Sequence, residues 1–396
     1  MPINSPPRHI KHILIQLQSR GHLAYLVGGC VRDMIIGHRP HKWDICTSAL
    51  PAQVIELFPA SHPVEGNDGC VMVRINSRQA CVSTFRSEFG YARAIHGGSL
   101  SYVAELNADL KGRDFTVNAI ALPADGLVAD PFGGVEDIEK KLIRSVGVPE
   151  ERFENDPMLM LRAFRYCARL DFEIEEKTLA AIAAKAHLAA ILPPALMREE
   201  LEKILMSDRP EMVSEVLGLG LLDAYTDGRA AKSDGYAKLR RIQRKPLYRW
   251  AGFCWLLCST GTVKDLEQFL QRLELDNRTL RCCLYTAGFM TAERPASRLE
   301  WKKLLHTQGV DAVCCSACCR DTFFGGSCRK ELGQILKSGE CFSMRHLAVS
   351  AEDLLAAGVN SEKLQEMLDF LLEYAMEYPE NNRRELLLDL CAGSED

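Results

Sequence analysis

Hydrophobic spacing changes character once along this chain, near Pro123–Gly134. Upstream, apolar runs of strand length alternate with short helical patterns. Downstream, the spacing is helical. A single change of this kind predicts a small α/β unit followed by an all-helical remainder. Ile10–Arg20 has helical spacing, Leu23–Val27 is an apolar strand running into Gly28-Gly29, and Cys30–Gly37 resumes helix and stops on glycine. Val71–Ile75 and Ala80–Phe85 are strand-like around an Asn76-Ser77 turn, and Phe115–Leu122 is a further apolar run. Met158–Arg169, Glu175–Ala190, Arg198–Met206, Glu211–Leu219, Val263–Arg272 and Ser361–Tyr378 read as helices. Lys232–Trp250 is a candidate inter-domain segment.

At 396 residues the chain suits two to four domains of about 100–200 residues each. No window approaches ~18 uninterrupted apolar residues, so no membrane-spanning helix is expected. The first residues lack a long apolar run of the signal-peptide kind. With 16 cysteines and no secretory signal, reduced thiols in a cytoplasmic protein are the expectation. A net charge of −5 argues against a wholly basic nucleic-acid binder but leaves room for a local basic groove.

Four polar elements stand out against this background. Gly28-Gly29 ends a strand and opens a helix, a corner that can aim backbone N–H groups at an anion. Arg32, in the first helical turn, could add a bidentate phosphate contact. The same residues also make an ordinary tight strand–helix corner. Asp44, in Lys42-Trp43-Asp44, lies where the next strand begins, a position where a cap or turn aspartate is common. Arg113-Asp114-Phe115-Thr116-Val117-Asn118 packs polar groups at the head of an apolar run, as a capping network also would. In Asn155–Tyr166, Pro157 suits a first helical turn and Asp156 the cap before it. Spacing by three sets Asp156, Leu159, Arg162 and Arg165 along one face, with Met158, Leu161 and Phe164 on an inward one. Alone, that face reads as solvated.

In this order, the four elements resemble the tRNA nucleotidyltransferase/poly(A) polymerase family, of the class II type within the DNA polymerase β-like superfamily. The matching pieces are Gly28–Asp33, Thr84-Phe85-Arg86, Arg113–Ala119 and Asp156–Arg165, with Asp130-Pro131, Gly133-Gly134 and Asp137-Ile138 as the link from head to neck. The resemblance covers roughly residues 10–225. It implies a β-polymerase-like nucleotidyltransferase head over 1–125, a neck with the nucleotide-base pocket over 126–195, a helical body over 196–250 and a helical tail over 251–396. It implies a tRNA 3′-end transferase that adds CMP and AMP from CTP and ATP. Partners would be RNA, most directly tRNA, with no membrane and no DNA. Gly28, Gly29 and Arg32 would hold the triphosphate. Arg113, Asp114 and Asn118 would meet the incoming nucleotide. Asp156, Arg162 and Arg165 would line the base and phosphate pocket. Two Mg²⁺ ions would sit in the head, with Asp44 as a catalytic metal ligand.

Three positions depart from the family pattern. Lys42 stands where the first metal carboxylate is expected, Cys81 where the third is expected, and Leu159 where the templating arginine is expected, with Asn155 in place of the usual glutamate. Mg²⁺ requires hard oxygen ligands, and an ammonium and a thiol supply none. Glu65 and Asp68 lie before the strand at Val71 rather than on it, and Glu88 lies past the Thr84-Phe85-Arg86 run, so none is expected to compensate. Lys42 is either a built-in counter-ion for a triphosphate or a solvent-facing loop residue. Catalysis is therefore expected to be impaired or lost. An active CCA-adding enzyme, a poly(A)-polymerase-like transferase and a non-catalytic RNA- or nucleotide-binding protein remain the alternatives.

Cys314-Cys315-Ser316-Ala317-Cys318-Cys319 contains one zinc-like spacing without a second pair, so core thiols are expected and zinc is not. Lys238, Arg240, Arg241, Arg244, Lys245 and Arg249, with Tyr236, Tyr248 and Trp250 among them, form either an RNA-contacting stretch or a solvated linker face.

Overall fold

The computed structural model describes residues 5–65, 69–86, 101–227 and 233–392. The chain divides into two compact units, Met1–Ala224 and Tyr225–Asp396.

The first unit is built on a mixed six-stranded sheet of order β3-β4-β5-β2-β1-β6. The strands are β1 (Ala24–Val27), β2 (Asp44–Thr47), β3 (His62–Pro63), β4 (Cys70–Ile75), β5 (Arg78–Thr84) and β6 (Ala121–Pro123). Only the β2–β5 pair is parallel; the other four are antiparallel. Helix α1 (Arg8–Ser19) buries Ile10, Ile13, Leu14 and Leu17, the helical spacing read from the sequence. Asn76 takes the left-handed conformation (φ 56°) that the β4–β5 hairpin needs. Val27, Cys46, Phe85, Ala119 and Ala121 pack together, and full burial of Phe85 stabilises by roughly 1.5–3 kcal/mol.

The helices that follow are α3 (Gly134–Glu139), α4 (Pro149–Asn155), α5 (Met158–Leu170) and α6 (Pro194–Leu205), and α2 (Gly29–Ile36) lies between β1 and β2. Asp130 starts α3 by accepting the Gly134 and Val135 N–H groups at 2.7 and 2.8 Å. A Cβ on Gly134 would fall 2.1 Å from the Thr116 carbonyl oxygen, so only glycine lets α3 lie against the 116–118 turn. Gly134→Ala is expected to lower stability by about 1–3 kcal/mol, read as a fall in melting temperature; an unchanged melt would refute this.

The second unit is helical, with α7 (Pro246–Ser259), α8 (Asn277–Thr291), α9 (Arg298–Gln308), α10 (Val310–Phe324) and α11 (Leu364–Glu377) among its elements. The α/β start and helical continuation match the sequence reading. Among the described residues no helix is long and apolar enough to cross a membrane.

Candidate active site

The site starts at one end of the sheet. The parallel register sets Asp44 directly beside Cys81. Leu26 faces Ile45 on the other flank, which brings Asp44 next to the end of β1 and the Gly28-Gly29 corner. The Cys30 thiol donates to the carbonyls of Val27 (3.3 Å) and Asp44 (3.6 Å), and burial pushes it up to about 11. Lys42 does not simply point to solvent. Its Nζ lies 3.0 Å from Asp44 Oδ1, although the lysine side chain is 71% exposed.

Cys81 forms a disulfide with Cys70, across the β4–β5 pair, at a Cα–Cα distance of 6.5 Å. This corrects the expectation that all 16 cysteines are reduced: 14 are free and these two are joined. The hairpin register decided it, by setting two sulfurs on neighbouring strands close together.

These donors do not fit a magnesium site. Asp44 is matched by an ammonium, and the Cys81 sulfur is bonded to carbon and sulfur only. Among the described residues, no group of three or more His, Cys, Asp or Glu could hold a metal ion. Glu65 sits exposed in a turn, and Asp68 and Glu88 lie outside the described residues.

Behind this row lies an arginine network. Gly28 caps α2 at φ 76°, a conformation open to glycine, and a Cβ there would meet Arg113 Nη1 at 3.1 Å. Arg32 is 1% exposed. Its Nε and Nη2 donate to Asp33 Oδ1 (3.0 and 2.6 Å), and its Nη1 donates to Asn118 Oδ1 (2.6 Å). Asn118 Nδ2 then donates to Asp114 Oδ1 at 2.9 Å, which also accepts the Phe115 N–H. Arg32 therefore holds the 114–118 turn against the Gly28-Gly29 corner, with its guanidinium turned to protein acceptors. Arg113 donates through Nε and Nη2 to Asp109 Oδ2 (3.3 and 3.0 Å). Burial opposes the charge on Arg113, but Asp109, Cys46 and Asp114 together outweigh it and hold the guanidinium above its usual range.

The start of α5 supplies the second half of the site. Asp156 Oδ1 accepts the Met158 N–H at 3.1 Å, the capping role read from the sequence. A cavity of about 140 Å³ is lined by Gly112, Arg113, Asp114, Arg152, Asp156, Leu159 and Arg162. Leu159 is 3% exposed, so the expected polar face carries a buried apolar wall at this point. Arg165 is not on the cavity. It pairs with Glu200 of α6 at 2.6 Å and lies 4.3 Å from the Tyr166 ring centroid. Burial works against its charge, while Tyr166 and Glu200 hold it above its usual range. Arg152 was not picked out from the sequence. Its Nη2 donates to the carbonyls of Gly112 (3.0 Å) and Arg113 (2.9 Å), and burial lowers its guanidinium below the usual range. Its place four residues before Asp156 was the available signal.

Two other candidates lie in the second unit. Cys315, Cys318 and Cys319 are buried on α10, and burial lifts the Cys319 thiol well above its ordinary value. In the basic stretch, Tyr236 and Trp250 are buried and so are withdrawn from stacking on bases. Arg249 donates to the Ile242 carbonyl (3.0 Å) and Lys238 to that of Phe323 (2.9 Å). Part of this stretch therefore serves the fold.

Residues 24–144 match the model of the Poly A polymerase head domain, and residues 171–224 that of a probable RNA and SrmB-binding site of polymerase A. The CCA-adding enzyme of Geobacillus kaustophilus is 39% identical over 68% of this chain and 66% of its own length. That of Lactiplantibacillus plantarum is 33% identical over 88% of this chain and 86% of its own length. The crystal structure of the Bacillus stearothermophilus CCA-adding enzyme in complex with CTP superposes with a TM-score of 0.79, at 28% identity and 98% coverage of both chains. With the sheet, the glycine corner, the arginine network and the α5 cavity all falling within such matches, the chain belongs to the tRNA nucleotidyltransferase family of CCA-adding enzymes.

Proposed function

We propose that this protein binds a nucleoside triphosphate and the 3′ region of tRNA as its relatives' chemistry implies, with its nucleotidyl transfer impaired or lost. The observation that carries the reading is the Asp44 row. One carboxylate remains there, it is ion-paired to Lys42, and its strand neighbour Cys81 is tied to Cys70. A transferase that activates the RNA 3′-hydroxyl through metal ions needs oxygen ligands at those positions. The CTP-bound relative and the matched RNA-binding segment support retained recognition. The nucleotide would lie between the Gly28-Gly29 corner and the cavity at Asp156 and Arg162. Labelled CTP and ATP incubated with tRNA lacking its 3′ end test the proposal; robust incorporation by the natural chain would overturn it.

Base choice follows from the cavity. Leu159 offers no hydrogen bond to a base edge, so one donor of a matched pair is missing. Titration with CTP, ATP, GTP and UTP is expected to give affinities within about tenfold of one another, since one hydrogen bond is worth about 0.5–1.5 kcal/mol. Leu159→Arg should widen the spread. A sharp preference in the natural chain would count against this.

A further inference from the structure

The residues that defeat a magnesium site bring a positive charge of their own. We propose that the head binds the triphosphate of a nucleotide without a divalent cation, with the Lys42 ammonium as the counter-charge. This rests on the nucleotide-binding reading above.

Lys42 Nζ stands 3.0 Å from Asp44, at the sheet end beside the Gly28-Gly29 corner, where the reading above places one end of the nucleotide. The three acids nearest the corner each have a cationic partner, so this part of the site is not acidic. Asp33 is matched by Arg32, Asp109 by Arg113 and Asp44 by Lys42. The strand position beside Asp44 carries an uncharged disulfide sulfur. In a site with three unscreened carboxylates, a metal must neutralise both the acids and the phosphates. In this one Asp33, Asp44 and Asp109 each lie beside a cation, and the Lys42 ammonium stays next to Asp44 when it reaches a phosphate.

Lys42 can also be released to a ligand. Its side chain is 71% exposed, and an exposed ion pair holds its partners weakly. An ammonium on a flexible four-carbon stem can therefore turn from Asp44 to a phosphate oxygen as a mobile point charge. Arg32 and Arg113 cannot do this without giving up buried partners.

The test is calorimetric titration of the full chain with CTP or ATP, in excess EDTA and in Mg²⁺. Binding in EDTA should fall within about threefold of that in Mg²⁺. Lys42→Ala should weaken binding in EDTA about tenfold, equal to ~1.4 kcal/mol. Lys42→Arg, which keeps the charge, should bind nearly as the natural chain does. Affinity that falls tenfold or more on chelation overturns the proposal and leaves the nucleotide-binding reading standing. So does a Lys42→Ala variant that binds normally in EDTA. Absence of binding in both buffers overturns the nucleotide-binding reading itself, and this proposal with it. If Lys42→Ala fails to fold, the natural chain in EDTA and in Mg²⁺ still tests whether binding needs a divalent cation.

Discussion

In an assay with labelled CTP or ATP and tRNA lacking its 3′ end, the double variant Lys42→Asp/Cys81→Glu is expected to exceed the natural chain by at least ~10²-fold in rate. Losing a single preorganised hydrogen-bond donor from an oxyanion hole already costs about 10²–10³ in rate, and a metal ligand is expected to matter at least as much. The double change restores carboxylates in the row that the register builds around Asp44. Each single change should do less. Lys42→Asp alone leaves a sulfur beside Asp44, and Cys81→Glu alone leaves the ammonium 3.0 Å from it. Cys81→Glu also frees Cys70, so the assay is run under reducing conditions. A double variant as silent as the natural chain, with an unchanged melt, would mean that these two positions do not limit catalysis. An active natural chain would remove the premise.

A second large effect is expected far from this site, in the helical second unit. Lys302 of α9 is 2% exposed and lies 2.5 Å from Glu340, with a further hydrogen bond to the Met376 carbonyl of α11 at 2.8 Å. Arg298 and Ser338 also hold Glu340. Burial alone would raise this carboxyl, but Lys302 and Arg298 outweigh it and bring it down to about 2. The folded-state value lies below the ordinary carboxylate one. The stabilisation is therefore complete above about pH 4.5 and fades as pH falls toward 2. Glu340→Gln should cost ~3–5 kcal/mol at neutral pH, because it leaves a buried ammonium uncompensated. It should also flatten the acid limb of the stability curve. Lys302→Met/Glu340→Gln should recover much of the loss in thermal melts. A Glu340→Gln chain that melts like the natural one at pH 7 would refute this.

Much of the first unit is legible in the sequence. Strand and helix periods, the glycine stop at Gly37 and the Asn76 turn all act within a few residues. Phe115–Leu122 is less so: it divides into a turn at Thr116–Asn118, whose Thr116 carbonyl lies against Gly134, and the short β6. The face of α5 divides between two partners. Asp156 and Arg162 reach the cavity, while Leu159 is its wall and Arg165 turns to Glu200 on another helix.

The sequence by itself determined which residue types stand at the motif positions, and hence that one acid, Asp44, survives where three are expected. It also determined the elements that carry them. Only the tertiary structure decided which charges are already spent. Arg32 meets Asn118 across 86 positions, Arg152 meets the Arg113 carbonyl across 39, Cys81 meets Cys70 across a hairpin, and Lys42 closes on Asp44 at the rim. Periodicity encodes the face a side chain takes on its own helix or strand. Strand register and the packing of distant elements choose its partner, and in this protein that choice separates the buried Arg32, which holds the 114–118 turn, from Lys42, whose ion pair to Asp44 is exposed.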